Sequence, residues 1–197
     1  MTHEIVVALA VLGVVGQVLG GLLLVAGLAW LVRVRAPLDA IRFAIWGHEL
    51  FLVFVVAAVA TGGSLFFSEA AHFVPCELCW FQRISMYPLS ITALLAFLFK
   101  DPRAARYLLP LPIVGAGVSI YHLLVENGVV EQAQACLASA PGGCATKWIN
   151  EFGYMTIPTL ALTGFVLTSA FLLFAAFHPR GEETLEPPAP AAYDPAP

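Results

Sequence analysis

Long apolar stretches alternate with short polar ones along the chain, and five of the apolar stretches are long enough to cross a bilayer as helices. They cover roughly Ile5 to Val32, Phe43 to Phe67, Trp80 to Phe99, Tyr107 to Val125 and Thr159 to Phe177. The first is rich in glycine (Gly13, Gly16, Gly20, Gly21, Gly27), which in a membrane helix points to close helix packing. Its one mid-span polar residue, Gln17, reads as an interhelical hydrogen bond. The stretch is too long for a cleavable signal peptide and has no Lys or Arg ahead of it. His48 and Glu49, near the start of the second span, form a polar cluster that can snorkel to water, with a proton entrance as the sharper alternative. Tyr87-Pro88 predicts a kink in the third span, and Pro110 and Pro112 fall in the first turns of the fourth. The long polar stretch Glu126 to Pro158 predicts a short surface helix around Val129 to Ala140. The tail from Pro179 to Pro197, rich in proline, alanine and acid, reads as disordered.

Composition supports this pattern. Of 197 residues, 60% are hydrophobic and 11% charged, and the mean hydropathy is +0.87. Ordinary globular chains are about 45–50% apolar and about 25% charged, so lipid is a principal solvent here. The net charge of −4 and nine Lys and Arg residues without a basic patch exclude a nucleic-acid binder. Charge placement gives an expected topology. With the first loop inside, Arg33, Arg35, Arg42, Lys100, Arg103, Arg106 and Arg180 are cytoplasmic, and only Arg83 and Lys147 are outside. The N-terminus is then outside and the C-terminus inside. No span carries paired mid-membrane charges and no inverted repeat is visible, which argues against a transporter.

The candidate chemistry lies in Pro75-Cys76-Glu77-Leu78-Cys79-Trp80-Phe81-Gln82-Arg83, where a polar loop turns into the third span. A helix starting near Pro75 carries Cys76, Cys79 and Arg83 on one face. Its N-terminus and the guanidinium both favour a thiolate. Two more cysteines, Cys136 and Cys144, fall in the next loop on the same expected outer face, where disulfides persist. Four cysteines allow three connectivities, and the sequence does not choose among them. Zinc is disfavoured, because the second pair lacks the Cys-x-x-Cys spacing and has no nearby histidine. Two pairs on one face suggest a relay by thiol–disulfide exchange, ending at a lipid-soluble acceptor that can reach the head of a span. The alternative is two stapling disulfides, for which Cys-x-x-Cys is poorly suited because it closes so small a loop.

The run Cys76 to Arg83, followed by Met86-Tyr87-Pro88-Leu89, resembles the signature of the DsbB/BdbC family of membrane thiol:quinone oxidoreductases. Tyr121-His122, the second cysteine pair, Phe152-Gly153 and Ile157-Pro158 are similar too. The close spacing of the second pair places it nearer the BdbC side. The resemblance implies an all-α, four-helix transmembrane redox domain over 43–177. Residues 1–42 then form an additional N-terminal transmembrane helix with a basic cytoplasmic loop, and 178–197 a tail. It also implies that a reduced thioredoxin-fold carrier of the DsbA/BdbD kind attacks a Cys136–Cys144 disulfide at Cys136. Cys144 then attacks Cys76, and Cys79 donates to a bound quinone, ubiquinone or menaquinone. Arg83 holds a quinone oxygen, a role that its permanent charge beside sulfur suits independently. His122 is implied to lie near the quinone. Glu69 and His72 read as solvated loop residues. The rival readings are a quinol-driven thiol reductase with the same wiring and a non-catalytic scaffold with structural disulfides.

Overall fold

The computed structural model describes residues 2–31, 47–101 and 103–176. The expected basic loop with Arg33, Arg35 and Arg42 and the expected disordered tail lie outside the described residues. Seven α-helices are described: α1 (Thr2–Leu31), α2 (Glu49–Leu65), α3 (Glu77–Leu98), α4 (Ala104–Leu108), α5 (Pro110–Glu126), α6 (Gln134–Ser139) and α7 (Ile157–Ala176). Five segments among the described residues are long and apolar enough to span a membrane, with α4 and α5 together making one of them. The sequence-predicted all-α membrane architecture is the one observed.

Local chemistry explains where the observed elements depart from the predicted ones. The second span does not stop at Phe67: a π-helical turn, Phe66–Ala70, carries it one turn further. The fourth span is divided between α4 and α5, because Pro110 and Pro112 bring no N–H to the ladder. The two pieces stay joined through Leu109 N–H to Ala105 O (3.3 Å) and Ile113 N–H to Leu109 O (3.4 Å). α3 runs through Pro88 as one helix. The surface helix expected over 129–140 forms only as α6, with Gly142 and Gly143 in the left-handed region directly after it. Such backbone suits residues without a Cβ.

The bundle is packed in its middle and apolar on its outside. Val53, Ala57, Met86, Leu89, Phe165 and Leu172 sit in one buried cluster contributed by α2, α3 and α7. Outward positions such as Ile84, Ile91 and Leu98 are each more than 60% exposed, which is tolerable where lipid rather than water is the neighbour. Gly115 lets α5 meet α7 closely, because a Cβ there would collide with the Phe165 ring. α1 lies along α7, with Gly13 against Leu160 and Gly16 against Thr163 and Leu167. Gln17 makes the interhelical bond its position suggested, its Nε2 donating to Thr163 Oγ1 (3.4 Å), and its Oε1 accepts from the hydroxyl of Tyr154 in the turn before α7 (3.0 Å). The N-terminal ends of α3 and α7 and the C-terminal ends of α2 and α5 meet at one end of the bundle, with all four cysteines. Lys100, Arg103 and Arg106 lie at the other end, a helix length away.

Candidate redox site

Cys76 is the N-cap of α3, in extended backbone, and its Sγ accepts the Cys79 N–H at 3.3 Å. A thiol thus does what a serine or aspartate usually does for the unpaired N–H groups of a first helical turn. The next of those groups, Glu77 N–H, donates to Ser139 Oγ of α6 at 3.1 Å. Ser139 Oγ in turn donates to Cys136 O at 2.8 Å, so the start of α3 is tied to the helix that carries Cys136. Cys76 and Cys79 are unbonded, with their sulfurs 2.8 Å apart. Cys76 is held well below the ordinary thiol range, at about 5, first by the Cys79 thiol hydrogen bond and then, against burial, by His122.

The two sulfurs face different surroundings. Cys76 is buried with Leu78, Val125, Cys136, Ala140 and Cys144. Cys79 lines a groove of about 330 Å³ together with Gln82, Arg83, Met86 and Tyr87 of its own helix. Side chains of α1, α2 and α7 complete the groove, and these are mostly Val, Leu, Ala and Gly. Arg83 is its cation. Its Nε donates to Ser64 Oγ and its Nη2 to Ser64 O, both at 3.0 Å, and its guanidinium lies 5.2 Å from the centre of the Trp80 ring. Tyr87 also donates to Ser64 Oγ, at 3.3 Å. The guanidinium is therefore fixed to α2 at the edge of the groove that Cys79 also lines. At the cysteine end, Phe67, Phe73 and Trp148 stack in series, 6.0 and 5.2 Å between centres, and close the groove from above.

His122 stands on the Cys76 side. Its Nε2 lies 3.1 Å from Cys144 O and 3.6 Å from Cys76 Sγ, and Gln82 Nε2 lies 3.5 Å from its Nδ1. Since a carbonyl only accepts and an amide NH₂ only donates, these contacts fit the tautomer with hydrogen on Nε2. Gln82 Nε2 also donates to Ser119 Oγ at 3.0 Å, which fixes the amide. One turn further along α5, Glu126 is 7% exposed. Its Oε2 accepts from Thr156 Oγ1 at 2.9 Å, while Oε1 is buried without a hydrogen-bond partner. Glu126, His122, Cys76 and Cys79 line one small cavity of about 10 Å³, the room a single water needs.

Cys136 and Cys144 are joined in a disulfide, with Cα atoms 5.3 Å apart. Both are buried, at 2% and 1% exposure. Gln132 Oε1 accepts the Cys144 N–H at 3.0 Å and crosses above Gly143, where a Cβ would collide with it. His122, Cys76 and Cys79 also bring three metal-ligand atoms within 4.8 Å of one another. That is one ligand short of a structural zinc set.

The family model for disulfide bond formation protein DsbB matches residues 48–175. The chain belongs to this family. It is similar to disulfide bond formation protein C of Bacillus subtilis, 43% identical over 128 residues, covering 62% of this chain and 88% of that protein. A probable disulfide formation protein of Deinococcus radiodurans is 41% identical over 133 residues, covering 63% and 86% of the two chains. One from Metapseudomonas resinovorans is 36% identical over 125 residues, covering 63% and 86%. No solved structure matches the chain.

Within this DsbB-family bundle, the structure brings the six sequence-predicted site residues to one end and divides them. Cys79 and Arg83 line the groove, whereas Cys76, His122, Cys136 and Cys144 lie on its inner side, which Cys79 also borders at the small cavity. His122 does not line the groove, because Gln82 and the Cys144 carbonyl turn its ring toward Cys76. Glu69 and His72 are both exposed, but Glu69 belongs to the π-helical turn and only His72 lies in a loop. Gln82, Ser64, Ser119 and Glu126 also belong to the site without having been singled out. Gln82 had one signal, its place one turn after Cys79. Ser64 had none, since its partner is nineteen residues away on another helix.

Proposed function

We propose that this membrane protein is a thiol:quinone oxidoreductase that reoxidises an extracytoplasmic thioredoxin-fold dithiol carrier and so sustains disulfide formation. The observation that carries this reading is the division of one Cys-x-x-Cys between two environments. Cys76 packs beside the Cys136–Cys144 disulfide, and Cys79 opens into an apolar groove beside a fixed arginine. The positive-inside bias of the sequence favours the cysteine end as the outer one.

In this reading the carrier's thiolate attacks Cys136 Sγ, breaking the Cys136–Cys144 bond and leaving the electron pair on Cys144. Both sulfurs are buried, so α6 has to move aside for the carrier, and a six-residue helix is a small element to displace. Cys144 then attacks Cys76 of an oxidised Cys76–Cys79 pair and expels Cys79 as the thiolate. The carrier's second thiol closes its disulfide and frees Cys136, which attacks Cys144, restores the Cys136–Cys144 bond and releases Cys76. His122, placed between the Cys144 carbonyl and Cys76, steadies the Cys76 thiolate through Nε2–H. A quinone bound in the groove accepts two electrons and two protons and leaves as the quinol. Arg83 orients that acceptor and offsets negative charge beside Cys79, while the apolar lining excludes water. Re-forming the Cys76–Cys79 bond completes a balanced two-electron cycle.

The test is quinone reduction by the purified protein with a reduced thioredoxin-fold protein as donor. The unaltered chain is expected to reduce quinone, and Cys79→Ser to lose that activity while keeping its Cys136–Cys144 disulfide. Quinone reduction that survives Cys79→Ser sinks the mechanism. Efficient quinol-driven reduction of the oxidised donor, without the forward reaction, reverses its direction.

A further inference from the structure

The helix that the family match leaves out supplies a wall of the groove. The match begins at residue 48, whereas Leu9, Leu12, Val15, Gly16 and Leu19 of α1 line the groove that holds Cys79 and Arg83. From Leu9 to Leu19 this wall runs about 15 Å along the helix axis. α1 is fixed on both of its flanks. Toward α7 it meets Leu160 and Thr163 through Gly13 and Gly16, and Gln17 bonds to Thr163 and Tyr154. Toward α2 its Leu9 methyls lie 3.4 Å from the Cβ position of Gly63. Val6 adds a third anchor, in a buried cluster with Phe67 and Ile149. Between these anchors Val15 and Leu19 do not close onto α2. They face Val55 and Val59 across the groove, whose one cation, Arg83, lies toward its cysteine end, while Thr163 of α7 is a neutral polar group further along.

A groove with one charged, redox-active end and a long apolar remainder fits a molecule of the same build. We propose that α1 selects the quinone by its tail: the headgroup lies at Cys79 and Arg83, and the isoprenoid chain runs between α1 and α2 along Val15 and Leu19. This inference rests on the quinone reading and adds to it a specificity wall from outside the family core. Val18 and Leu22 lie on the same helix, are 59% and 58% exposed and line no part of the groove. They are the natural controls.

The experiment compares a long-tailed quinone with a tail-less analogue as acceptors. Val15→Trp and Leu19→Trp should raise KM for the long-tailed quinone on the order of tenfold more than for the tail-less one, the discrimination typical of apolar pockets that gain or lose a small group. Val18→Trp and Leu22→Trp should leave the ratio unchanged. The same ratio in both sets of variants overturns the role of α1 while leaving the quinone reading intact. No quinone reduction by the unaltered protein defeats both. Should the groove variants not fold, a tail-labelled photoreactive quinone on the unaltered protein decides the question. Crosslinks within residues 9–19 are expected, and crosslinks confined to α2 and α7 overturn the proposal.

Discussion

The two sides of the first turn of α3 differ more than two sulfurs three residues apart usually do. On the Cys76 side the neighbours are packed around one water-sized cavity, and most polar groups are paired in series: Gln82 to His122, His122 to the Cys144 carbonyl, Ser139 to Glu77 and Cys136. On the Cys79 side there is open apolar space with a single cation held at its edge. Close packing suits exchange between sulfurs, which demands alignment, whereas open space suits a diffusible partner that must enter and leave. One helix start can serve both because its N-cap and N3 sulfurs, though 2.8 Å apart, border the packed cluster and the groove respectively.

This contrast can be broken from either side. The largest effect is expected at Arg83. Arg83→Met keeps much of the stem's packing but removes the groove's charge. By analogy with losing one preorganised donor, quinone reduction should fall about 10²- to 10³-fold, with thiol exchange between the two cysteine pairs preserved. Parallel measurement of both steps checks it, and equal losses in both would erase the distinction between the two sides.

His122→Ala tests the inner side and should act on the thiolate. The folded pKa of Cys76, about 5, lies below the ordinary thiol value of 9.0. In the reduced protein Cys76 is therefore ionised at neutral pH and protonates only as pH falls through about 5. By linkage, its contribution to stability is complete above the unfolded thiol's pKa and is lost as pH falls toward 5. Removing His122 takes away a secondary cause, so the midpoint should rise but stay below 9.0, because the Cys79 hydrogen bond remains. The reduced-minus-oxidised ultraviolet absorbance of the thiolate, followed against pH, reads this directly. An unmoved midpoint would remove His122 from the inner site.

The smallest effect belongs to Ser64→Ala. It removes the side-chain acceptor of Arg83 and Tyr87 but leaves the Ser64 carbonyl that Arg83 Nη2 also contacts. A loss of about 1 kcal/mol in positioning, hence a several-fold slower quinone step, is expected from kinetics at saturating donor. A loss as large as that of Arg83→Met would mean that Ser64 does more than hold the guanidinium.

Much of this was legible in the chain. Five apolar runs specify five spans, since lipid forces every backbone polar group into helical bonds. The Cys-x-x-Cys with Arg83 one turn on placed the chemistry at a helix start, and the glycines and Gln17 announced that α1 packs against a neighbour. Helix ends were less legible. The π turn after Leu65 and the short α6 depend on where neighbouring elements end, which periodicity does not record.

The sequence by itself determined the number of spans, the cysteine spacing and the family to which the chain belongs, because each is a local property of consecutive residues. Tertiary structure alone decided which face each sulfur shows. It turned His122 toward Cys76, buried the half-paired Glu126 beside it, fixed Arg83 to Ser64 and set α1 as a wall of the groove. All of these are contacts between helices far apart in the chain. A helical period tells which residues share a face, but only packing tells what that face meets.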